Sequence, residues 1–387
     1  MKRRTMIYGV TTAALSAGFS RSADAKYRVA VIGHSGRGNF GHGLDKVWLK
    51  IPETTIVGVS DPDEKGLANA KKSLSVEAGY SDYRTMLSEV KADLVAVCPR
   101  HPDQHADMIL AAINAGAKGI YVEKPYVSTL AEADRIKAAC DKTGTKIAVA
   151  HRNRYHPDLS TIDQILKNEG EMKIGKLLEI RGRGKGDRRG GGEDLWVLGT
   201  HVLDLISRFS GQPLSCSATM LQGGQLVTAA DVKEGNEALG PLAADEIHAR
   251  YRMENGITAY FDSLANDESK NKGFGLQLIG SEGTVIIHCD ARPLAHYREG
   301  NPLDPKNQAD WQPIGNTDPE AIAQAQNHIF PCRDLIESVE KNRQPICGLS
   351  EATTTIEMVM GLFQSHFSEG SRVVIPLENR DHPLANL

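Results

Sequence analysis

Five short runs of β-branched and other apolar residues alternate with five helical patterns between residues 27 and 150. The predicted strands cover residues 27–32, 55–59, 94–98, 119–122 and 146–150. The predicted helices cover residues 44–50, 64–74, 83–89, 102–115 and 130–142. Strands that alternate with helices through short connections form a parallel, doubly wound sheet with helices on both faces. The first part of the chain is therefore predicted to have an α/β fold.

A glycine-rich turn, residues 33–38 (GHSGRG), directly follows the first predicted strand. Read as the dinucleotide-binding pattern G-x-G-x-x-G, it has glycine at both ends and Ser35 at the middle position. We expect its backbone N–H groups and the start of a following helix to bind a pyrophosphate. Asp61 ends the second strand, where a carboxylate accepts hydrogen bonds from the adenine ribose and repels a 2′-phosphate, which favours NAD over NADP. The alternative is that the glycines only shape a turn.

Two further strand ends bring polar residues to the same edge of the sheet, where ligands bind in open α/β folds. Pro99, Arg100 and His105 follow the third strand, and Glu123 and Lys124 follow the fourth. In that crevice the Lys124 ammonium can polarise a substrate hydroxyl or lower the pKa of a neighbouring base. Two alternatives are that Lys124 forms a solvated ion pair with Glu123 and that His105 only packs within its helix. The predicted cofactor-binding residues are Gly33, Ser35, Gly36, Arg37, Gly38, Asp61, Pro99, Arg100, His105, Glu123 and Lys124.

The first 25 residues have the features of an export leader. Residues 2–5 (KRRT) are basic, residues 6–19 are mildly apolar, and residues 23–25 (ADA) form a small-x-small cleavage site. The arginine pair and the weakly apolar middle predict a twin-arginine leader over residues 1–25 and a periplasmic location. An ordinary secretory leader and an uncleaved anchor are the alternatives, although the apolar run is short for a bilayer span.

The composition restricts the possible partners of this 387-residue chain, which is long enough for two domains. A net charge of -4 argues against nucleic acid as a main partner. The cysteines show neither a C-x-x-C pair nor zinc-site spacing, so no metal site is predicted. Export permits disulfides, but most cysteines are predicted to be buried thiols. The six are Cys98, Cys140, Cys216, Cys289, Cys332 and Cys347.

After residue 157 the pattern changes to strands in which apolar and polar residues alternate. These strands are predicted at residues 176–184, 215–221, 246–253, 257–263, 274–279 and 283–288, and helices at 159–167, 319–341 and 351–367. The last helix is predicted to be capped by Ser350. Such alternation is typical of an antiparallel sheet with one covered and one open face. We predict a cofactor-binding domain at residues 26–152 and a substrate-binding domain at 153–387, whose open sheet face joins copies of the chain into a homodimer or homotetramer.

A predicted helix start at residues 198–205 carries His201 and Asp204, which are three residues apart and therefore share one face. A carboxylate near a histidine orients the ring and stabilises its protonated form, which suits general acid–base chemistry. The alternative is a core histidine whose ring is satisfied by a carboxylate.

Together these segments resemble the Gfo/Idh/MocA family, named for glucose–fructose oxidoreductase, inositol dehydrogenase and a rhizopine-catabolism protein. The resemblance is carried by the glycine turn, Asp61, the 98–105 segment, Glu123-Lys124-Pro125, the 152–157 junction (RNRYHP) and the G-x-H-x-x-D pattern at 199–204. It implies an N-terminal Rossmann domain and a C-terminal α/β domain with a large, open-faced, mostly antiparallel sheet. It also implies an NAD(P)-dependent oxidoreductase acting on sugars, polyols or related carbonyls, with Lys124 as the active-site lysine.

One position departs from the family pattern. In the sugar and inositol dehydrogenases of the family an aspartate commonly lies four residues before the histidine, and here that position is Val197. The nearest preceding acids are Glu193 and Asp194, about one helical turn further back. The resemblance therefore leaves the Lys–Asp–His trio incomplete.

The leading hypothesis is reversible oxidation of a secondary hydroxyl on a sugar, polyol or glycoside. His201 removes the hydroxyl proton, Lys124 stabilises the alkoxide charge and Asp204 positions His201, while the cofactor takes the hydride. The predicted substrate contacts are Arg154, Tyr155, Asp194 and His201. Because an exported enzyme meets little free nucleotide, we expect tightly held NAD that a second substrate recycles.

The sequence leaves two other functions open. The first is glycoside cleavage through transient oxidation, in which a ketone at one carbon acidifies its neighbour and permits elimination. The second is a non-catalytic NAD-binding protein that acts as a sensor or a scaffold. Val197 in place of the acid is the main support for both alternatives.

Overall fold

A computed structural model describes residues 26–269, 273–289, 294–315 and 318–387. The predicted leader, residues 1–25, lies outside these ranges. Within them the chain forms two large β-sheets, one parallel and one mostly antiparallel, and helices pack against both. The α/β class predicted from the sequence is confirmed. None of the helices in these ranges combines the length and the apolar character needed to cross a bilayer.

The first sheet has six parallel strands in the order β3-β2-β1-β4-β5-β6. They are β1 (Tyr27–Ile32), β2 (Thr54–Ser60), β3 (Gly79–Tyr80), β4 (Leu94–Val97), β5 (Gly119–Val122) and β6 (Lys146–Val149). Every residue of β4, β5 and β6 is buried because helices cover both faces, which explains their near-continuous apolar runs. The five predicted strands are confirmed to within one residue at each end. β3 is too short for a sequence pattern to predict it.

Helices with clear start signals connect these strands. They are α1 (Glu64–Leu74), α2 (Tyr83–Val90), α3 (His105–Asn114) and α4 (Leu130–Thr143). Asp63 caps α1, because its Oδ1 accepts a hydrogen bond from Gly66 N at 2.6 Å. Thr129 and Glu132 form a capping box at the start of α4. These caps fix where each helix leaves the sheet.

The segment after β1 differs from its prediction. Within the described chain no α-helix follows the glycine turn: residues 40–46 form successive turns, and only Val47–Lys50 are helical, in the 3₁₀ form. Gly41 and Gly43 have φ angles of 61° and 92°, which an α-helix does not contain. The predicted helix at 44–50 is therefore reduced to one short turn, and the expectation that the glycine turn opens a helix is wrong.

The second sheet has the order β17-β16-β15-β14-β7-β13-β12-β8-β18, with β9 paired to β8. Its strands are β7 (Leu177–Arg183), β8 (Pro213–Gln222), β9 (Gln225–Leu226), β12 (Glu246–Met253), β13 (Thr258–Leu264), β14 (Gly275–Gly280), β15 (Gly283–His288), β16 (Ala295–Glu299), β17 (Gln312–Ile314) and β18 (Val373–Val374). A small hairpin, β10 (Lys233–Glu234) with β11 (Pro241–Leu242), stands apart. β7 and β13 pair in parallel and the other neighbours pair antiparallel, so the mostly antiparallel sheet is confirmed. The sequence analysis does not predict the short strands β9, β10, β11, β16, β17 and β18.

Helices cover one face of this sheet. The helices of the second half are α5 (Leu159–Leu166), α6 (Gly192–Asp194), α7 (Thr200–Ser210), α8 (Pro319–Gln326), α9 (Ile329–Glu340) and α10 (Leu349–Phe367). In β12 the residues Ile247, Ala249 and Tyr251 are buried while their neighbours along the strand are not. The Tyr251 hydroxyl donates to the Met358 carbonyl of α10 at 3.0 Å. The alternation predicted for a half-covered sheet is present.

Two predictions about the helices of the second half, one about continuity and one about a cap, are wrong. The helix predicted at 319–341 is divided into α8 and α9 at His328, whose φ of 64° lies in the left-handed region. The cap of α10 is formed by Glu351 and not by Ser350: Glu351 Oε2 accepts a hydrogen bond from the backbone N–H of Gly348 at 3.0 Å. The break at His328 places its ring beside Tyr121 of β5, at the edge of the parallel sheet.

All six cysteines are buried, and no disulfide joins any two of them. This agrees with the prediction from their positions on strands and helices.

We expect the covered face of the second sheet to carry much of the stability of this half. Leu278 of β14 is fully buried, so Leu278→Ala should lower the free energy of unfolding by about 2–5 kcal/mol. Leu226 of β9 is 64% exposed, so Leu226→Ala should change it by less than about 0.5 kcal/mol. Urea unfolding followed by circular dichroism measures both variants, and equal effects would contradict this assignment of the core.

Candidate active site

A cavity that opens to solvent lies where the carboxyl ends of β4, β5 and β6 meet the start of α7. Its lining residues are His42, Arg100, Glu123, Lys124, Pro125, Ala150, Arg152, Arg189, Val197, Leu198, His201, Glu237, Leu239 and His328. Parallel strands bring their carboxyl ends to one edge, which is where α/β folds bind ligands. The cavity brings together Lys124 and His201, the two residues on which the predicted chemistry depends.

Lys124 enters the cavity from the end of β5, and its peptide bond to Pro125 is cis. The residue is 7% exposed, and its Nζ donates a hydrogen bond to the main-chain oxygen of Val197 at 2.7 Å. Burial lowers the pKa of Lys124 below its ordinary value, and the Glu123 carboxylate opposes that shift. An ammonium has three donors, so Lys124 can hold this carbonyl and still bind an oxygen atom of a ligand.

The main-chain oxygen of Val197 supplies the acceptor for Lys124. Leu195–Gly199 form a π-helical turn between α6 and α7. Single π-helical turns occur frequently at functional sites. Gly199 permits close packing here, since a Cβ at that position would lie 2.8 Å from the Phe261 ring. Lys124 therefore has a fixed oxygen partner although residue 197 has an apolar side chain.

Glu123 is a buried carboxylate that neighbouring positive groups keep ionised. It is 1% exposed, its Oε2 lies 3.0 Å from His42 Nδ1, and its Oε1 accepts a hydrogen bond from Lys124 N. Burial raises the pKa of Glu123, but the His42 hydrogen bond and the positive charges of Lys124 and His42 together lower it to about 2. Glu123 thus stabilises the charged form of Lys124.

His201 presents its ring to the cavity from the first turn of α7. It is 8% exposed, and its ring lies at 5.5 Å from the ring of His151, centroid to centroid. Burial, and then the nearby charge of Lys124, hold the pKa of His201 well below its usual value. The imidazole is therefore neutral near neutral pH. No described residue forms a hydrogen bond with the buried Nδ1, which leaves Nε2 as the nitrogen for the cavity.

The predicted contact between Asp204 and His201 is wrong. Asp204 accepts hydrogen bonds from Arg154 Nε at 3.0 and 3.1 Å, and its Oδ1 lies 3.4 Å from His151 Nδ1. Burial raises the pKa of Asp204, whereas the Arg154 charge and His151 lower it to about 2. Asp204 follows His201 by three residues on α7, but its carboxylate contacts Arg154 and His151 and does not line the cavity. His151, which the sequence did not single out, is its histidine partner.

Three predicted substrate contacts are also wrong. Arg154 is occupied by Asp204, and Tyr155 donates to Asp334 Oδ2 at 2.9 Å in the core. Asp194 is fully buried and accepts a hydrogen bond from Ser263 Oγ at 2.6 Å. None of the three lines the cavity. They are polar residues that hold the second half together, and a sequence pattern does not distinguish such a buried network from a ligand site.

Of the residues predicted after β4, Arg100 lines the cavity and His105 does not. His105 is fully buried, with Nδ1 at 3.0 Å from the Pro125 carbonyl oxygen and Nε2 at 2.7 Å from that of Pro99. The prediction that His105 binds the cofactor is therefore wrong. Its ring joins the two loops that carry Arg100 and Lys124, which makes it a packing residue of the site.

The glycine turn approaches the ends of β4 and β5 closely. A Cβ atom at Gly38 would lie 2.4 Å from Arg100 N, and one at Gly41 would lie 2.6 Å from Cys98 O. Gly36, Gly38 and Gly41 form a second G-x-G-x-x-G pattern, three residues after the one that the sequence analysis used. This frame has glycine at all three positions, so the sequence itself could have revealed the contribution of Gly41.

Asp61 lies at the end of β2, as predicted, but it is fully buried in this structure. Its carboxylate accepts hydrogen bonds from Ser35 N at 3.0 Å, Ser35 Oγ at 2.7 Å and Asp63 N at 3.0 Å. The Arg37 guanidinium is paired with Asp103. In this conformation Asp61 holds the glycine turn in place, and a ribose could contact it only after Ser35 moves.

Several further cavity residues come from segments that are spread along the chain. Arg152 follows β6, Arg189 lies in the glycine-rich loop before α6, and Glu237 lies 3.9 Å from Arg100 across the cavity. His328 is 2% exposed, lies 2.6 Å from the Tyr121 hydroxyl through Nδ1, and burial lowers its pKa to about 4. A strand-end position could have indicated Arg152. His328 and Glu237 come from distant segments that only the folded chain brings together.

One group of potential metal ligands occurs in the described residues: His151, Asp204 and Cys347, whose ligand atoms lie within 4.8 Å of one another. Burial and the neighbouring Asp204 charge raise the pKa of Cys347 well above its usual value, so the sulfur remains a thiol. Arg154 already supplies the positive charge that Asp204 needs. The group is better described as part of a buried polar network than as a metal site.

Comparison with known proteins agrees with this architecture. Residues 27–151 match the family model described as "Oxidoreductase family, NAD-binding Rossmann fold". D-apiose dehydrogenase of Paraburkholderia graminis is 26% identical over 68% of this chain and 69% of its own length. Myo-inositol 2-dehydrogenase of Thermotoga maritima is 25% identical, but only over 34% of this chain and 39% of its own length. The longest stretch of similarity among these thus reaches well into the second half.

The fold of most of the chain is also found in solved structures. A levoglucosan dehydrogenase in complex with NADH and L-sorbose superposes with a TM-score of 0.73 at 17% identity, over 91% of this chain and 99% of that one. At that identity the likeness shows the shared fold, including both sheets.

We expect acid to destabilise the protein partly through Asp204. Its pKa of about 2 lies below its ordinary 3.8, so its stabilising contribution is full above pH 3.8 and is lost as the pH falls towards 2. The loss amounts to about 2 kcal/mol. Asp204→Asn should lower stability at neutral pH, because Arg154 becomes a buried unpaired charge, and should flatten the decline below about pH 5.

Urea unfolding at several pH values between about 2 and 7 measures this slope. Asp163→Asn is the control, because it breaks the more exposed pair with Arg208 and should cost less than about 1 kcal/mol. A wild-type slope in Asp204→Asn would contradict the assignment.

Proposed function

We propose that this chain, which belongs to the Gfo/Idh/MocA family of NAD-binding oxidoreductases, oxidises a secondary hydroxyl of a sugar, polyol or glycoside. One observation carries the proposal: Lys124 and His201 face the same cavity at the carboxyl edge of the parallel sheet. The substrates named for the apiose, inositol and levoglucosan dehydrogenases support a carbohydrate substrate.

In the proposed reaction His201 accepts the hydroxyl proton at Nε2, since burial keeps the ring neutral near neutral pH. Lys124 donates a hydrogen bond to the same oxygen atom and stabilises the alkoxide charge as it develops. The Val197 carbonyl orients Lys124, and Glu123 keeps its ammonium charged. When bound, NAD supplies the acceptor for the hydride.

The residues at the sheet edge fit a dinucleotide. Gly36 has a φ of 79° and open space where a Cβ would stand, so a ligand can approach its backbone closely. Arg100 can bind a phosphate from the far side of the cavity. Asp61 and Asp63, at the end of β2, place negative charge where a 2′-phosphate would lie, which favours NAD over NADP.

The charge of the cavity suggests which carbohydrates bind best. Arg100, Arg152 and Arg189 line it together with Lys124, against the acids Glu123 and Glu237. Arg189 is also paired with Asp187 at 2.7 Å. Glu123 is already neutralised by His42 and Lys124. We therefore expect sugars that carry a carboxylate to bind at least as well as neutral ones.

The proposed enzyme is exported, keeps its cofactor bound and assembles into a homo-oligomer. The basic KRRT segment (residues 2–5) of the predicted leader at residues 1–25 supports twin-arginine export. This route carries folded proteins with bound cofactors. A periplasmic enzyme would then hold NAD tightly and recycle it with a second substrate. The open face of the second sheet, which includes His248 and Arg250 of β12, is the proposed surface for a homodimer or homotetramer.

Mass spectrometry of the purified, denatured protein tests cofactor retention. We expect about one NAD per chain, and nucleotide-free protein would contradict tight binding. A panel of neutral sugars, acidic sugars, polyols and glycosides, followed at the nicotinamide absorbance, tests the reaction. Release of an aglycone without net NADH would favour the oxidation–elimination reaction, and binding without turnover across the panel would favour a non-catalytic NAD protein.

Lys124→Met should lower kcat about 100-fold or more on any substrate that the panel identifies, because the alkoxide loses its positive partner while the side-chain volume is kept. Lys118→Met is the matched control, since Lys118 is paired with Asp93 at the surface of the same sheet. Steady-state kinetics of both variants provide the comparison. Equal activity of the two variants would refute the role of Lys124.

A further inference from the structure

A second histidine, His151, lies behind His201 and takes no part in the mechanism described so far. It follows β6 and is 3% exposed. Its ring lies 5.5 Å from that of His201 with an interplanar angle of 65°, and it does not line the cavity. Each ring also has one buried nitrogen, His151 Nε2 and His201 Nδ1, with which no described residue forms a hydrogen bond.

We propose that His151 is a positioning residue that fixes the tautomer of His201 through a hydrogen bond between these two nitrogens, made directly after a small ring rotation or through one buried water. Buried polar atoms are almost always satisfied, so two unpaired nitrogens on neighbouring rings are best explained by each other. A single bridging water can satisfy both atoms.

The direction of this hydrogen bond follows from Asp204. Arg154 keeps that carboxylate ionised, and its Oδ1 lies 3.4 Å from His151 Nδ1. An ionised carboxylate only accepts, so His151 carries its proton on Nδ1 and its Nε2 becomes an acceptor. His201 then donates from Nδ1, and its Nε2 is left unprotonated towards the cavity. That is the state a general base needs before it accepts a hydroxyl proton.

The same arrangement stabilises His201 after it accepts the proton. The imidazolium donates more strongly through Nδ1 to His151, and the negative charge of Asp204 lies on the far side of that ring. No proton has to leave His151. The carboxylate that the sequence analysis assigned directly to His201 therefore acts on it through an intervening histidine.

Packing alone is the competing explanation for His151, and a metal ion is another. Packing does not account for an unsatisfied ring nitrogen on each of two neighbouring rings. A metal ion at His151, Asp204 and Cys347 would lie against the Arg154 guanidinium, which donates to Asp204 at 3.0 Å. Like charges at that distance in a buried site are unfavourable.

Selective ¹⁵N-histidine labelling and NMR of the full-length protein test the tautomers without any substrate. We expect Nδ1–H for both His151 and His201 in the wild type. His151→Leu removes the acceptor and should change His201 to Nε2–H or to a mixture. His151→Gln has nearly the same volume as the leucine variant, but its amide can donate to Asp204 and accept from His201, so it should keep the wild-type tautomer. Signals are assigned with His201→Gln.

Kinetics on a substrate from the carbohydrate panel give the second test, and this arm rests on the proposed function. His151→Leu should lower kcat 10- to 100-fold with KM changed less than about threefold, because His151 does not touch the cavity. His151→Gln should retain at least about a third of kcat.

A failed panel would refute the proposed function and leave the NMR result valid. An Nε2–H tautomer of His201 in the wild type, or equal losses of kcat in both variants, would overturn the role of His151.

Discussion

The parallel sheet imposes the constraint on which the site depends: all of its strands end at one edge. Residues that are far apart in sequence, such as Arg100, Lys124 and Arg152, follow β4, β5 and β6 and so reach one cavity. The second half of the chain closes that cavity with the π-helical turn and the first turn of α7, which bring Val197 and His201. Neither half contains a complete site, so the packing of the two sheets with their helices decides the chemistry.

At and behind the cavity, two buried carboxylates each have a basic partner. Glu123 is matched by His42 and Lys124, and Asp204 by Arg154. Breaking such a pair leaves an uncompensated charge in a medium of low polarity, which costs several kcal/mol. These pairs therefore fix the orientation of the loops that carry the reactive groups, and they explain why residues that resemble substrate ligands in the sequence are structural in the folded protein.

The sequence predicted the fold well because the signals are local. The alternation of strands and helices, the caps at Asp63 and Thr129 and the alternating burial along β12 each depend on a few neighbouring residues. The family resemblance is supported for the first domain by the match over residues 27–151. Lys124 and His201 were also placed correctly at one cavity, since strand ends and the G-x-H-x-x-D pattern locate them. The failures are long-range: the direction of the Asp204 side chain, the core partner of Tyr155 and the unwound chain after β1 depend on tertiary contacts and on left-handed glycines that spacing does not reveal.

The acceptor for Lys124 is a peptide carbonyl, and every amino acid carries one. Substitution at position 197 can therefore alter the size or polarity of the cavity wall without removing the partner of the ammonium. If the acceptor were an aspartate side chain, a substitution at this position would remove the partner of the Lys124 ammonium. Because the contact is made by the backbone, the side chain at this position can vary, and the shape of the cavity can diverge while the proposed catalytic pair keeps its geometry.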